Sequence, residues 1–472
     1  MSTKKLITNT LYFGIVPKLP MLINVFLLPI LTPFLTTFDY GIHGVITAYT
    51  GIMLVIAPLG LNVHLTNSYY EYGNKYNLVW GRVLCYVIIS SIICGLVNIL
   101  LLINVIPLDF SWKLVLLSFL GTIQIFFNAN SMLASHLFPI EGNPKPLVFT
   151  NLFASLCGII LSFVLIYCYK LGYWGLISGT ALSSIVAFIL FLKFVWKDFN
   201  IRPIFDKNIK HLKYFLSISW PIIPHTLGFL FLTSASRIVM TWHNIDYDDI
   251  GLYSHGAQMG DYAIIVTTAL VLALNPKMQT SYRAKDYDSY RKLYFLCQMI
   301  ALVTSVLICI WMNDIYSILI KNEKLAQSSS IACLMCFANV VHPLYIFMST
   351  NAFIEKKTKQ LLWLVFIPGV LNLILCNIFI PIYGFRAAVY STMISYWSQI
   401  FIPFAISYYR TTVLQWLKRK KFLLVLLAVI VLSVICSNII SQQMFFVKFA
   451  VSAAAVSLFA AVFYRKKYNR VL

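Results

Sequence analysis

Apolar runs of roughly twenty residues follow one another along the whole chain, separated by short polar breaks. A helix of that length crosses a hydrocarbon core of about 30 Å. The runs are continuous rather than alternating, so a membrane β-barrel is excluded. Fourteen spans are predicted: 11–34, 43–65, 83–105, 113–138, 148–168, 174–195, 214–241, 251–275, 293–313, 326–352, 361–381, 387–408, 422–440 and 447–464. The expected fold class is therefore all-α and integral to the membrane.

The breaks between the runs carry a repeat. Ile140-Glu141 in FPIEGNPKPLVF returns as Ile354-Glu355 in AFIEKKTKQLLW. Gly172-Tyr173 returns as Gly384-Phe385, Pro17/Pro20 as Pro221/Pro224, and Gly41 as Gly251. Four matches in one order at nearly one offset predict two halves of a duplicated unit, the usual build of a transporter. The expected organisation is a first lobe over 1–195 (spans 1–6), a basic linker over 196–213, a second lobe over 214–408 (spans 7–12), and two added helices over 409–472.

Charge orients this array. Hydrophobic residues make up 60% of the 472 and charged residues 11%, too little charge for a water-facing surface. If Met1 is cytoplasmic, 28 of the 36 Lys and Arg fall in inside segments and six outside. Basic loops stay cytoplasmic, so both termini are expected there. The net charge of +21 is then positive-inside bias with attraction to anionic membrane lipids. Nucleic-acid binding is disfavoured, because the basic residues are spread over separate loops. Most tryptophans, including Trp80, Trp112, Trp242, Trp363 and Trp416, lie near span ends, as an interfacial belt requires. The N-terminal stretch MSTKKLITNT lacks the apolar core of a removable signal peptide.

Polar groups inside spans are costly and usually face a cavity or a partner. Lys18 sits between Pro17 and Pro20, which break the first helix locally. The bland reading is a lysine snorkelling to the interface; the functional one is a cation that holds an anionic substrate. Arg237, nearer the outer end of span 7, has the fork geometry for phosphate. Span 4 aligns Gln124, Asn128, Ser131 and Ser135 on one helical face, and span 10, its repeat mate, carries Asn339, His342 and Ser349. These stripes are either helix–helix hydrogen bonds or a lined cavity. Substrate-binding candidates are thus Lys18, Arg237, Gln124, Asn128, Asn339 and His342. Asp261 is the one carboxylate well inside a span, and with His255 it is the candidate for H+ or Na+ coupling. The ten cysteines all lie in apolar runs, and Cys333/Cys336 has no second pair beside it. Neither a metal nor a cofactor is expected. A nucleophile elbow, a phosphate loop and an HExxH motif are all missing, so catalysis is not expected either.

The stretch NTLYFGIVPKLPMLINVFLLPILTPFLTTFDYGIHGVITAY resembles the start of the bacterial polysaccharide transporter family, the O-antigen and capsule flippases of the multidrug/oligosaccharidyl-lipid/polysaccharide exporter superfamily. Pro29, Pro33 and Tyr40-Gly41 carry that likeness. A second block resembles the family's seventh-helix region through Pro221, Pro224, Arg237, Gly251 and Tyr253, with Ser236 where an acidic residue is common. YGFRAAVYSTMIS resembles its Tyr-Gly-x-x-Gly-Ala turn, with Ala387 for the second Gly. The resemblance implies an alternating-access bundle in the cell inner membrane. It would move undecaprenyl-diphosphate-linked oligosaccharide units (O-antigen, capsule or exopolysaccharide) outward, beside a polysaccharide polymerase and glycosyltransferases. Three rivals remain open. A lipid-linked peptidoglycan-precursor flippase should carry more intramembrane arginines. A multidrug exporter should carry more acidic groups. A glycan polymerase should have a large outer loop, and the longest here is about a dozen residues.

Overall fold

The computed structural model describes residues 19–143, 145–205, 209–219, 222–417 and 421–468. Among them no strand occurs. Residues 11–18 of span 1 lie outside the described residues, and over the rest each of the fourteen expected spans overlaps a helix or a broken pair of helices. These are α1 (Leu19–Phe34), α2 (Thr37–Ile56), α3 (Tyr76–Val105), α4 (Trp112–Ile140), α5 (Lys145–Cys168) and α6 (Tyr173–Asp198). They continue with α7 (Ile222–Trp242), α8 (Tyr247–Val271 with Leu274–Arg283), α9 (Tyr287–Ile310), α10 (Glu323–Ile354) and α11 (Thr358–Tyr383). The last three are α12 (Arg386–Trp397, extended by a short turn to Ala405), α13 (Lys421–Ile440) and α14 (Phe445–Tyr468). Among the described residues, nine of these are long and apolar enough to cross a membrane unaided, or ten with the bent α8.

The chain divides into two compact units, Met1–Gly251 and Leu252–Leu472. That boundary differs from the linker at 196–213, because α7 packs within the first unit. Tyr49 Oη lies 3.0 Å from Thr241 Oγ1, and Leu230 reaches to 3.2 Å of a Cβ placed on Gly51.

In the first unit, α2 starts earlier than its hydropathy suggests. Thr36 and Asp39 form a capping box, with Asp39 N–H donating to Thr36 Oγ1 at 3.1 Å and Thr36 N–H to Asp39 Oδ2 at 2.7 Å. Asp39 Oδ1 also accepts from Tyr173 N–H at 2.7 Å, which ties α2 to the start of α6. Gly172 is required there. Its φ is +50°, and a Cβ would stand 2.2 Å from Asp39 Oδ1. α2 ends at Pro58, Leu59 (φ +54°) and Gly60 (φ +67°), so span 2 is not the continuous 43–65 helix of the sequence reading. A short helix, Asn62–Tyr72, follows. Inside the bundle, Asn98 of α3 donates to Thr50 Oγ1 of α2 and Thr122 Oγ1 of α4, at 3.2 and 2.9 Å. Such bonds join membrane helices where lipid supplies no hydrophobic drive. α5 and α6 approach through Gly158 and Gly179, where an added Cβ would meet the opposing backbone oxygen at 2.5 and 2.6 Å.

In the second unit, Gly256 and Gly260 of α8 serve the same purpose against α10. A Cβ on either would stand 2.4–2.9 Å from Ile331, Ser328, Met335 or Ala332. An aromatic cluster of Tyr290, Tyr294, Phe347 and Trp416 fills the space between α9, α10 and the helix Ser407–Leu417. Near the start of α14, Lys448 pairs with Asp314 at 2.6 Å and Trp311 donates to Ser452 at 3.0 Å. Trp112, Trp242 and Trp363 are exposed, as a belt requires. Trp80 and Trp416 correct that expectation, because both are fully buried. Trp80 Nε1 donates to Leu65 O and Ser68 Oγ at 3.1 and 3.0 Å.

The repeat is visible in side-chain bonding. Tyr69 donates to Glu141 at 2.9 Å in the first unit, and Tyr282 donates to Glu355 in the second. The two glutamates are those of the repeated Ile-Glu pair. Gly41 and Gly251, also paired by the repeat, meet within the first unit. A Cβ on Gly41 would be 2.1 Å from Tyr247 O, and one on Gly251 1.8 Å from Thr37 O. Of the Pro17/Pro20 and Pro221/Pro224 match, Pro20 lies in α1 and Pro224 in α7, while Pro17 and Pro221 lie outside the described residues.

Candidate functional site

Two polar stations sit where transmembrane helices break. In the first unit, α4 is interrupted at Phe127 (φ −102°, ψ 7°). Gln124 lies in the last turn of one segment and Asn128 opens the next. Gln124 lies twelve residues past Trp112, about 18 Å into the span at 1.5 Å per residue. Gln124, Asn128 and Ser131 line a cavity of about 160 Å3. Across it stand Asn151 and Ser155 of α5 and Ser183 and Ser184 of α6, none of them singled out by the sequence reading. The i, i+4 spacing of Asn151 and Ser155 is the signal that would have found the α5 pair. Among the described residues the cavity has no charged side chain in its wall. Ser135, the fourth residue of the α4 stripe, is exposed and donates to Met132 O at 2.7 Å instead.

In the second unit, α8 breaks at Asp261–Ala263. There Tyr262 and Ala263 N–H reach back only three residues, to Met259 O and Gly260 O. α10 breaks through Asn339–Val341, at the place the repeat assigns to Phe127. The carbonyls freed there are satisfied by side chains, as a membrane interior demands. Gln298 donates to Val340 O at 2.8 Å and Trp397 to Phe337 O at 3.0 Å. Close packing at Gly260 brings the two breaks together, and Asn339 Nδ2 donates to Asp261 Oδ1 at 3.0 Å. A substrate candidate and an ion candidate from different spans thus form one contact. Asn339 is buried and Asp261 is exposed.

The remaining candidates are dispersed. His255 precedes Asp261 on the same helical segment. It is buried against α10, with Nδ1 at 2.7 Å from Ser328 Oγ and Tyr316 edge-on at 5.8 Å. His342 opens the second segment of α10 and lies against Tyr345, ring centroids 6.0 Å apart. Arg237 is half-buried on α7, within electrostatic range of His43 on α2. His43 falls at the predicted edge of span 2 and draws no notice in the sequence. Lys18 lies outside the described residues. Cys333 and Cys336 are free and buried: Cys333 Sγ faces Cys309 O, and Cys336 Sγ faces Gly260 O at 3.5 Å. Among the described residues there is no cluster that could hold a metal.

Residues 6–282 match the model of a family described as polysaccharide biosynthesis protein. No curated protein matches the chain. Solved structures share its fold at low identity. A lipid II flippase, MurJ, in an inward closed conformation aligns with TM-score 0.63 and 16% identity, over 94% of this chain and 100% of that one. A multidrug resistance MATE family transporter of the MOP superfamily, inward-facing, aligns with TM-score 0.62 and 14% identity, over 85% and 96%. A MOP superfamily transporter from Pyrococcus furiosus aligns with TM-score 0.53 and 15% identity, over 90% and 96%. The fold is that of MOP-superfamily transporters.

Proposed function

The chain belongs to the polysaccharide biosynthesis protein family, and on that footing we propose that it is a flippase for polyprenyl-diphosphate-linked oligosaccharides. It would carry O-antigen, capsule or exopolysaccharide units from the cytoplasmic to the outer leaflet of the inner membrane. The observation that carries this reading is the pair of repeat-related breaks in α4 and α10. Each places amide side chains in mid-span, Gln124 and Asn128 in one and Asn339 in the other. Broken helices at mid-bilayer, in corresponding positions of two halves, are where transporters hold their cargo.

The assigned roles follow from chemistry. The diphosphate is an anion, and Lys18 and Arg237 are the cations inside spans, so they hold it. An inside-negative potential favours outward movement of that anion by about 2.3 kcal/mol per charge per 100 mV. Asp261, with its carboxylate on Asn339, is the site for a coupling H+ or Na+. The cargo leaves chemically unchanged, passed between glycosyltransferases and a polymerase. Cells lacking the protein should accumulate the glycan-lipid in the cytoplasmic leaflet and lose surface glycan, and both should recover on complementation. Full glycan display without it, together with lost efflux of cationic dyes, would assign the chain to drug export instead.

A further inference from the structure

We propose that the cavity between α4, α5 and α6 is a carbohydrate subsite, which takes one hydroxyl-bearing ring of the cargo and no part of its diphosphate. This rests on the flippase reading above and assigns a moiety of the cargo to named residues. The first observation is a pattern of hydrogen bonding. Gln124, Asn128, Ser131, Asn151, Ser155 and Ser183 all face the cavity, and among the described residues their side chains make no hydrogen bond to protein. Ser184 alone is bonded, to Thr180 O at 2.9 Å. Several polar groups of the same helices that point elsewhere are bonded within the fold. Thr122 bonds Ser118 O at 2.7 Å, Ser162 bonds Gly175 O at 3.0 Å, and Thr180 bonds Ile177 O at 2.8 Å. Ser118 Oγ and Asn130 Oδ1 of α4 and Trp196 Nε1 of α6 also lack a partner, each on its own; what sets the cavity apart is that six such side chains line one space. Polar groups within a membrane bundle need a partner, and here the partner must enter from outside the fold.

The chemistry of the wall selects that partner. Amides and serine hydroxyls both donate and accept, as sugar hydroxyls do. An anion would call for Arg or Lys, and a cation for a carboxylate, and among the described residues the wall has neither. Phe127, packed on Phe188 at 4.6 Å between ring centroids, adds an apolar face beside the polar groups. A small set of convergent polar groups on an apolar wall is the common form of a specific ligand pocket. The volume of about 160 Å3 gives room for a single sugar ring. The wall is also rigid. A Cβ on Gly158 would meet Ser183 Cβ at 2.9 Å, so α5 and α6 hold Ser155 and Ser183 without slack.

The test compares two lipids on full-length protein in nanodiscs: a polyprenyl-diphosphate oligosaccharide and the bare polyprenyl diphosphate. The near-isosteric pair Asn128→Leu/Asn151→Leu should weaken binding of the glycolipid at least tenfold and leave the bare lipid within twofold. Gln124→Met, a milder change, should show the same selectivity at about threefold to tenfold. Equal weakening of both lipids, or of neither, overturns the subsite. A parent protein that binds neither lipid overturns the flippase reading and the subsite with it. Na+-dependent binding that the asparagine variants abolish, with glycolipid affinity unchanged, would assign the cavity to a cation and overturn the proposal.

Discussion

Replacing Gly260 by alanine tests the joint that brings Asp261 to Asn339. The new Cβ would stand 2.4 Å from Met335 Cβ, 2.8 Å from Ala332 O and 3.0 Å from Cys336 N. Two of these are backbone atoms, and the third is fixed to its backbone. No rotamer change relieves the contact, so α8 and α10 must separate by on the order of 1 Å. Overpacking of that kind costs about 1–3 kcal/mol. Alanine's higher helix propensity offsets about 1 kcal/mol. Separation also stretches the 3.0 Å bond from Asn339 to Asp261, which contributes about 1 kcal/mol once the exposure of Asp261 is allowed for. The expected net loss is about 1–3 kcal/mol. Gly51→Ala is the internal control. Its nearest neighbour is Leu230 Cδ1 at 3.2 Å, the movable end of a side chain, so propensity should prevail and stability should hold or rise. The assay is the temperature at which detergent-solubilised protein loses its monodisperse peak, read beside glycan export. Gly260→Ala as stable as the parent, or Gly51→Ala the worse of the two, would refute the packing argument.

Three further outcomes are expected. Lys18→Ala should abolish most export while folded protein remains in the membrane, and Lys18→Arg should preserve part of it; normal glycan display by well-expressed Lys18→Ala would return Lys18 to the role of a snorkelling lysine. A reporter active only in the cytoplasm should be active when fused after Leu472, and inactivity would break the predicted parity of fourteen crossings. The Tyr69 hydroxyl is pushed up to about 12, first by its hydrogen bond to Glu141. Folding favours its protonated form, so its contribution is complete below about pH 10 and lost as pH rises through 12. Tyr69→Phe should remove that segment of the alkaline stability curve, and an unchanged curve would show that the bond contributes nothing.

The membrane array was legible because hydropathy and loop charge act over whole spans, and both survive packing. The breaks were less legible. α2 carries its stop in plain view as Pro58 and Gly60, and α10 restarts at Pro343, so both had a turn signal. Phe127 has none: an apolar residue between a glutamine and an asparagine leaves the hydropathy unbroken. Trp80 and Trp416 show a related limit, since nearness to a span end does not reveal which way a ring points. Gln124 and Asn128 were found from one helical face. Asn151, Ser155, Ser183 and Ser184 were not, because a cavity wall belongs to three helices and no single stripe describes it. The contact of Asp261 with Asn339 depends on Gly260, whose value lies in what it lacks.

The most direct measurement of the central claim is the leaflet exposure of a labelled polyprenyl-diphosphate oligosaccharide in liposomes that hold the full chain. The account predicts movement of the label between leaflets, faster outward when the inside is made negative, with the lipid recovered chemically intact. No movement above protein-free liposomes, combined with transport of cationic dyes by the same preparation, would contradict it.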